Sequence, residues 1–553
     1  MLKKGIIAIF MLSMLMATDA ISCTNIIITK GASKDGSTMI SYNADAGGFM
    51  EPLYFSPAKT YPEGAMLDVY EWDTGKFLGK IKQVAQTYHV VGNINEYQVS
   101  IGETTFGGRQ ELKDTNAKMD YGSLMYIALQ RAKTAREAIK IMGDLVDEYG
   151  YYSSGESFSV ADPNEAFILE MISKGSIEKG AVWVAIKIPD GYISAHANQS
   201  RIQDFDIDDK ENVICSNDVV DFAIKQKYYD PAKDGKFSFQ KAYSPADPSA
   251  LLFCEGRVWS MFRRAAPSMN LSSDYWRAVE GAEPYPLFIK PDHKLSVQDA
   301  MALMRDHFEG TEFDMTKGVA AGPFGNPYRW KNLTWKLSTD SLTTYAWERP
   351  ISTQQTAFSF VSQLRGFLPR EIGGIMWYGV DDTYSNVYMP LYCSITRPPK
   401  PFVGGSIAEL DLSKGFWVFN LVANLAYTKY SYIIKDIQEK QRYFENKFFT
   451  YQSAIENAAK ELYATNPQFA VEFLTDYSCL QSEEVVDRWL DLWKFLVVKY
   501  NDGYINNVNE AHGRHPKGVG YGDEFFRQVL EEKGNYYNVD WQKPQKDAKK
   551  KKK

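Results

Sequence analysis

Cys23 carries the chemistry that the rest of the chain must explain. It stands in "DAISCTNIIIT" (19–29), where an apolar leader ends and a β-branched run begins. A cysteine there has three possible roles: lipid attachment, disulfide partner, or first residue of the processed protein. The third makes it a catalyst. A thiol attacks as thiolate and needs a base to take its proton. An N-terminal residue supplies that base itself, because its α-amine has a pKa of about 7.7–8.0, close to the roughly 8.5 of a free thiol. The thiolate attacks an amide carbonyl, a thioester forms, and water releases it. The amine returns the proton to the leaving amine. Such a site needs oxyanion donors and a carboxylate that holds the amine. It needs no metal and no cofactor. It also needs no histidine, which suits a chain with only six.

Other chemistries fit the sequence poorly. His512 and His515 in "EAHGRHP" lie three apart with no carboxylate between them and a Pro after, which is not a zinc-protease helix. "GESFS" (155–159) lacks the final Gly of a nucleophile elbow. The five cysteines, Cys23, Cys215, Cys254, Cys393 and Cys479, are widely spaced, odd in number and without a CxxC.

The leader itself explains how Cys23 would be exposed. Residues 1–22 read as a secretory signal: Lys3 and Lys4, an apolar run from Gly5 to Ala17, then Ala20 and Ser22 three and one before the cysteine. The run is shorter than the roughly 20 residues a membrane span requires. The expectation is an exported protein, periplasmic or extracellular, with no membrane span. Lipidation of Cys23 usually calls for Leu where Ala20 stands. With 62 Lys+Arg against 69 Asp+Glu the net charge is −7, which argues against a nucleic-acid partner. A 44% hydrophobic content suffices for a large core, and 35 Tyr, 31 Phe and 12 Trp make it an aromatic one.

Stepping along the chain, residues 24–29 form a short apolar strand, "KDGS" (34–37) a turn, and 38–45 a returning strand. That hairpin brings Asp45 to the end where Cys23 begins. Residues 90–109 read as another hairpin turning near Asn95-Glu96. A helix over 121–133 follows. A second helix has Thr134 and Glu137 as a capping box and an apolar stripe from Ala135 to Tyr149. Residues 157–172 and 182–198 read as strand–turn–strand units through Asp-Pro-Asn and Pro-Asp-Gly, and Ser296 caps a helix reaching about Phe308. Hairpins with segregated helices predict an α+β fold of antiparallel sheets. From 411 the pattern becomes helical, and Lys549–Lys553 close the chain as a charge run. The expected organisation is a removed leader (1–22), a catalytic unit (23–410), a helical part (411–535) and a Lys-rich tail (536–553).

"CTNIIITKGASKDGST" resembles the mature start of the dipeptidase A-type cysteine peptidases, which are N-terminal-nucleophile hydrolases. The likeness continues in "NINE", "IGETTFGGR", "LQRAKTAREAI", "LVDEYGY", "ADPNEAFILEM", "HANQSRI" and "GRVWSMFRRAAPS", from Cys23 to about Tyr392. The resemblance implies an αββα four-layer sandwich like that of penicillin V acylase and bile-salt hydrolase, with the nucleophile at the start of a central strand. It implies Cys23 as nucleophile with its amine as base, Asp45 as the acid holding that amine, and Asn198 as the oxyanion asparagine. It also puts Thr104 near the position whose backbone N–H completes the oxyanion hole, and makes Arg257 a supporting arginine. The acylases carry Arg three residues before the acid, and here Tyr42 stands in its place. Tyr42 is then left to shape the pocket, and Glu103 and Arg109 to meet the ammonium or carboxylate of a short peptide.

The functional expectation is an exported cysteine dipeptidase acting on short peptides. The alternatives are an acylase cleaving non-peptide amides, and a surface lipoprotein that binds glycan or peptide without catalysis. The N-terminal mass of the exported form separates enzyme from lipoprotein. A bare Cys23 is the expected result, whereas a thioether-linked lipid would remove the nucleophile.

Overall fold

The computed structural model describes residues 23–509 and 516–538. The leader 1–22, the His512/His515 pair and the Lys549–Lys553 run lie outside the described residues. The protein is mixed α and β, built on antiparallel sheets. The strands that matter for the site are β1 (Thr24–Ile28), β2 (Thr38–Asp45), β3 (Ser100–Gly107), β4 (Gly155–Ala161), β5 (Ala166–Ser173), β6 (Ala181–Lys187), β7 (Ile193–His196), β8 (Val213–Cys215), β9 (Phe288–Ile289), β10 (Thr356–Leu364), β11 (Gly374–Val380) and β12 (Met389–Tyr392).

One sheet runs β9-β7-β1-β2-β10-β11-β12, so the strand that Cys23 opens lies inside it, between β7 and β2. Register pairs Thr24 with Asn43 and Asn25 with His196. The second sheet runs β8-β6-β5-β4-β3 and continues into short strands at Ile94–Asn95, Val90–Val91 and Phe55–Ser56. β1 and β2 pack against β3 and β4. Runs such as TNIII and AFILEMIS are buried throughout because both of their faces are covered. Gly102 lets the sheets approach: a Cβ there would lie 2.4 Å from Asn25 Oδ1. In that gap Asn25 donates to the Glu103 carbonyl at 2.6 Å.

Helices cover the outer faces. α1 (Tyr121–Leu129) and α2 (Ala135–Tyr149) pack on the second sheet, their apolar side chains merging with Phe158, Phe167 and Leu169. α3 (Gly256–Ala265) and α4 (Val297–Met304) pack on β7 and on β2 and β10 of the first sheet. The chain then becomes helical: α5 (Gly415–Ala426), α6 (Tyr430–Thr465) and α7 (Pro467–Lys499). α5 and α7 contact β11 and β12, and a buried ion pair at 2.6 Å joins Arg365, just past β10, to Glu456 on α6. Among the described residues no helix is long and apolar enough to cross a membrane.

Most expected elements are present, and the differences have physical causes. Residues 182–198 are not a hairpin. β6 belongs to the second sheet and β7 to the first, and the Pro189-Asp190-Gly191 turn passes between them. Asp190 accepts from the Gly31 amide at 2.6 Å and Thr29 Oγ1 donates to the Tyr192 carbonyl at 2.8 Å, which moors that turn to the end of β1. The expected helix over 121–133 ends at Leu129, where Asn95 Nδ2 donates to the Leu129 and Ala132 carbonyls at 2.8 and 2.7 Å. The helix capped by Ser296 stops at Met304, and Phe308 takes a left-handed φ of 63°. The 90–109 segment holds two tight reversals, the first with Gly92 at φ 53°.

Gly102→Ala is expected to destabilise the protein by about 1–3 kcal/mol, since the added methyl forces the sheets apart at Asn25. A lowered midpoint in denaturant or thermal unfolding checks this.

Candidate functional site

Cys23 precedes β1 and is fully buried. Its Sγ lies 3.4 Å from the Tyr42 hydroxyl and 3.4 Å from Glu103 Oε1. Tyr42, on β2, also donates to the same Glu103 oxygen in a short hydrogen bond. Its ring stands edge-on to Phe358 and Phe360, which fixes where the hydroxyl points. Thus the residue that occupies the arginine position of the resemblance is a neutral phenol that donates to a carboxylate and lies against the thiol. Burial pushes the Cys23 thiol well above its ordinary range, and the charges of Glu103 and Asp45 add to it.

Asp45 ends β2, fully buried, beside the backbone from which Cys23 starts. Its Oδ2 accepts from Arg349 at 2.7 Å and its Oδ1 from Thr356 at 2.6 Å. Register sets Thr356 directly opposite Asp45. Burial raises the Asp45 carboxyl, while the Arg349 charge and the Thr356 hydroxyl pull it down.

Arg257, on α3, binds the start of β1 and the end of β7 together. Its Nη1 donates to the Cys23 carbonyl at 2.5 Å and to Thr24 Oγ1 at 2.8 Å. Its Nη2 donates to the Ala197 carbonyl at 3.0 Å and to Asn198 Oδ1 at 2.9 Å. Burial, with Arg349 nearby, lowers this guanidinium to about 9. Asn198 itself takes a left-handed φ of 61°, tolerable for asparagine, and its Nδ2 donates to the Thr105 carbonyl at 2.8 Å. Sequence reasoning therefore named residues that the fold brings together: Cys23, Tyr42, Asp45, Glu103, Asn198 and Arg257.

Thr104 is buried on β3, where its hydroxyl bonds His196 Nδ1 at 2.7 Å, and Ser159 holds the other ring nitrogen at 2.7 Å. Burial and the charges of Arg201 and Arg257 lower His196 to about 3, so the ring is a neutral structural tie between the sheets. Arg109 is engaged elsewhere. Its Nε donates to the Ala242 carbonyl at 2.5 Å, its guanidinium lies 4.0 Å over the Tyr228 ring, and Glu111 is 3.8 Å away. None of these partners touches Cys23, Tyr42 or Glu103.

Sequence reasoning missed Arg349, Thr356 and Glu156. Arg349 and Thr356 reach Asp45 across some three hundred residues, a distance no local pattern encodes. Glu156 is the one charged residue of the strand GESFSVA, every residue of which is buried. The cysteines at 215, 254, 393 and 479 are all free thiols.

The sequence model of peptidase family C69 matches residues 22–443, a span that opens on the residue before Cys23 and includes every residue of this site. The chain belongs to peptidase family C69. It is thus a peptidase. This C69 peptidase is 27% identical over 404 residues to a probable dipeptidase of Salmonella dublin, covering 69% of this chain and 83% of that one. It is 25% identical to a probable dipeptidase of Latilactobacillus sakei, with 82% of this chain and 90% of the relative covered. It is also 24% identical to a dipeptidase of Bifidobacterium longum (strain NCC 2705), over 76% and 80% of the two chains.

Arg349→Ala in this peptidase strips Asp45 of its buried cation. It is expected to cost about 3–5 kcal/mol of stability, read from denaturant unfolding. Arg349→Ala together with Asp45→Asn should recover part of that loss.

Proposed function

We propose that this C69 peptidase is an exported dipeptidase whose nucleophile is Cys23 once residues 1–22 are removed. The observation that carries the reading is the convergence of Tyr42, Asp45, Glu103, Asn198 and Arg257 on a cysteine that opens an inner strand. The names of the relatives support dipeptides as substrates. The two sheets, packed together with helices outside them, fit the αββα arrangement of N-terminal-nucleophile hydrolases.

The reaction starts from a thiol, because burial and neighbouring carboxylates oppose the thiolate. A base must therefore take the proton as the sulfur attacks. The freed α-amine of Cys23 is that base, and Asp45 is the carboxylate that orients it. Arg349 and Thr356 in turn hold Asp45 in place. Sγ attacks the scissile carbonyl carbon and the carbonyl oxygen gains charge. The Asn198 side-chain amide and the Thr104 backbone N–H are the donors for that oxygen. As the tetrahedral adduct collapses, the C–N bond breaks and the ammonium of Cys23 returns its proton to the leaving amine. Water, deprotonated by the same amine, then attacks the thioester and regenerates the thiol. Arg257 does not touch the reacting atoms in this scheme. It positions the Cys23 carbonyl and the Asn198 amide relative to each other.

Cys23→Ser is expected to lower dipeptide kcat by about 10⁴-fold or more, and a thioester at residue 23 should be trapped by mass spectrometry at low pH. Full activity of protein that still carries residues 1–22 overturns the scheme.

A further inference from the structure

We propose that the paired carboxyls of Glu103 and Glu156 anchor the α-ammonium of the residue acylated onto Cys23, so that this peptidase cuts the first peptide bond of substrates with a free amino terminus. The inference rests on the nucleophile reading above and adds a specificity rule to it.

Glu103 on β3 and Glu156 on β4 are fully buried. Register sets Thr105 opposite Glu156 and Glu103 opposite Phe158, so the two acids are diagonal neighbours on one face of the sheet. Each carboxyl has one oxygen in use. Glu103 Oε1 accepts from Tyr42 and lies 3.4 Å from Cys23 Sγ, and Glu156 Oε2 accepts from Thr105 at 3.0 Å. The other oxygens, Glu103 Oε2 and Glu156 Oε1, are buried without a donor from any other residue. Glu51, on the loop after β2, adds a third buried carboxyl oxygen without a donor. Asp73 adds further negative charge from its place beside Tyr121.

No Lys, Arg or His among the described residues forms an ion pair with Glu51, Asp73, Glu103 or Glu156. Three other buried acids of this fold are matched by a cation. Glu255 has Arg201 at 3.2 Å, Glu456 has Arg365 at 2.6 Å, and Asp45 has Arg349 at 2.7 Å. Burial and mutual charge hold the Glu103 and Glu156 carboxyls above their ordinary range, Glu156 well above it. Without a cation such a pair holds a proton between its carboxyls, Glu156 hydrogen-bonding to Glu103, and an incoming ammonium takes that proton's place. Among the described residues no three His, Cys, Asp or Glu side chains converge to hold a metal ion. A primary ammonium fits better: one positive charge with three N–H donors.

The spacing to the nucleophile decides which ammonium. In an amino acid the nitrogen lies about 2.5 Å from its own carbonyl carbon, by the standard bond lengths and angle. A reacting sulfur stands about 3–3.5 Å from that carbon. An ammonium that bonds a carboxylate 3.4 Å from Sγ therefore belongs to the residue under attack, and the scissile bond is the first one. On entry the ammonium displaces the weak S–H donor from Glu103, which frees the thiol to turn toward the carbonyl carbon.

The test compares one dipeptide with its N-acetyl derivative on the processed enzyme. The acetylated form is expected to lose about 100-fold or more in kcat/KM, because the buried carboxyls stay unpaired. Glu156→Gln should raise KM for the free dipeptide by about tenfold or more and shrink that ratio. Hydrolysis of the acetylated dipeptide within tenfold of the free one overturns the anchor, whether or not the variant folds. Labelling the wild-type enzyme with p-nitrophenyl acetate, which has no ammonium, separates the two readings. An acetyl group on Cys23 keeps the nucleophile whatever the peptide ratio shows, and its absence overturns both.

Discussion

The buried guanidinium of Arg257 is the interaction on which the site depends. It takes hydrogen bonds to the Cys23 carbonyl, Thr24, the Ala197 carbonyl and Asn198, so one side chain ties the start of β1 to the segment that leaves β7. These strands are neighbours in the sheet, and the guanidinium spans their ends just beyond the ladder pair of Asn25 with His196. Its own Nε is held by the Phe253 carbonyl at 2.8 Å. The geometry is therefore over-determined, which is what the proposed nucleophile and oxyanion donors require.

Around this tie the site divides by charge. On one side, Asp45 is matched by Arg349, with Arg257 close by. On the other, Glu103 and Glu156 face each other with phenols and hydroxyls for company and no cation. Cys23 sits between. The difference assigns different tasks to acids that look alike in the sequence. In the mechanism we propose, the matched acid stays in place and orients the freed amine, and the unmatched pair is completed by the substrate ammonium. Tyr42 joins the two halves, since its hydroxyl meets both the thiol and Glu103. An arginine there would have neutralised Glu103 internally.

The first hairpin was legible because a short apolar, β-branched run is followed by a local turn: TMISYNAD is a strand over its expected bounds, and "KDGS" supplies the reversal. The second helix was legible for the same reason, as Thr134 caps it through the Glu137 amide at 3.2 Å. The split of residues 182–198 between two sheets was not legible. A Pro-Asp-Gly turn looks the same whether the strands it joins pair with each other or part, and the decision came from Thr29 and Gly31 at the end of β1. Arg109 shows the same limit for function. Its position in "GETTFGGR" beside Glu103 invited a binding role, yet its guanidinium stacks on Tyr228.

By itself the sequence determined the family likeness, the mixed architecture and the first hairpin, which sets Cys23 and Asp45 at one end. Each of these is written in contiguous residues, where type and short spacing constrain the chemistry. Only the tertiary structure decided which charges are matched. Arg349 reaches Asp45 and Glu156 reaches Glu103 because antiparallel pairing and sheet packing bring distant strands into register. Whether a carboxyl is neutralised depends on what stands within a few ångströms of it, and chain separation carries no record of that distance.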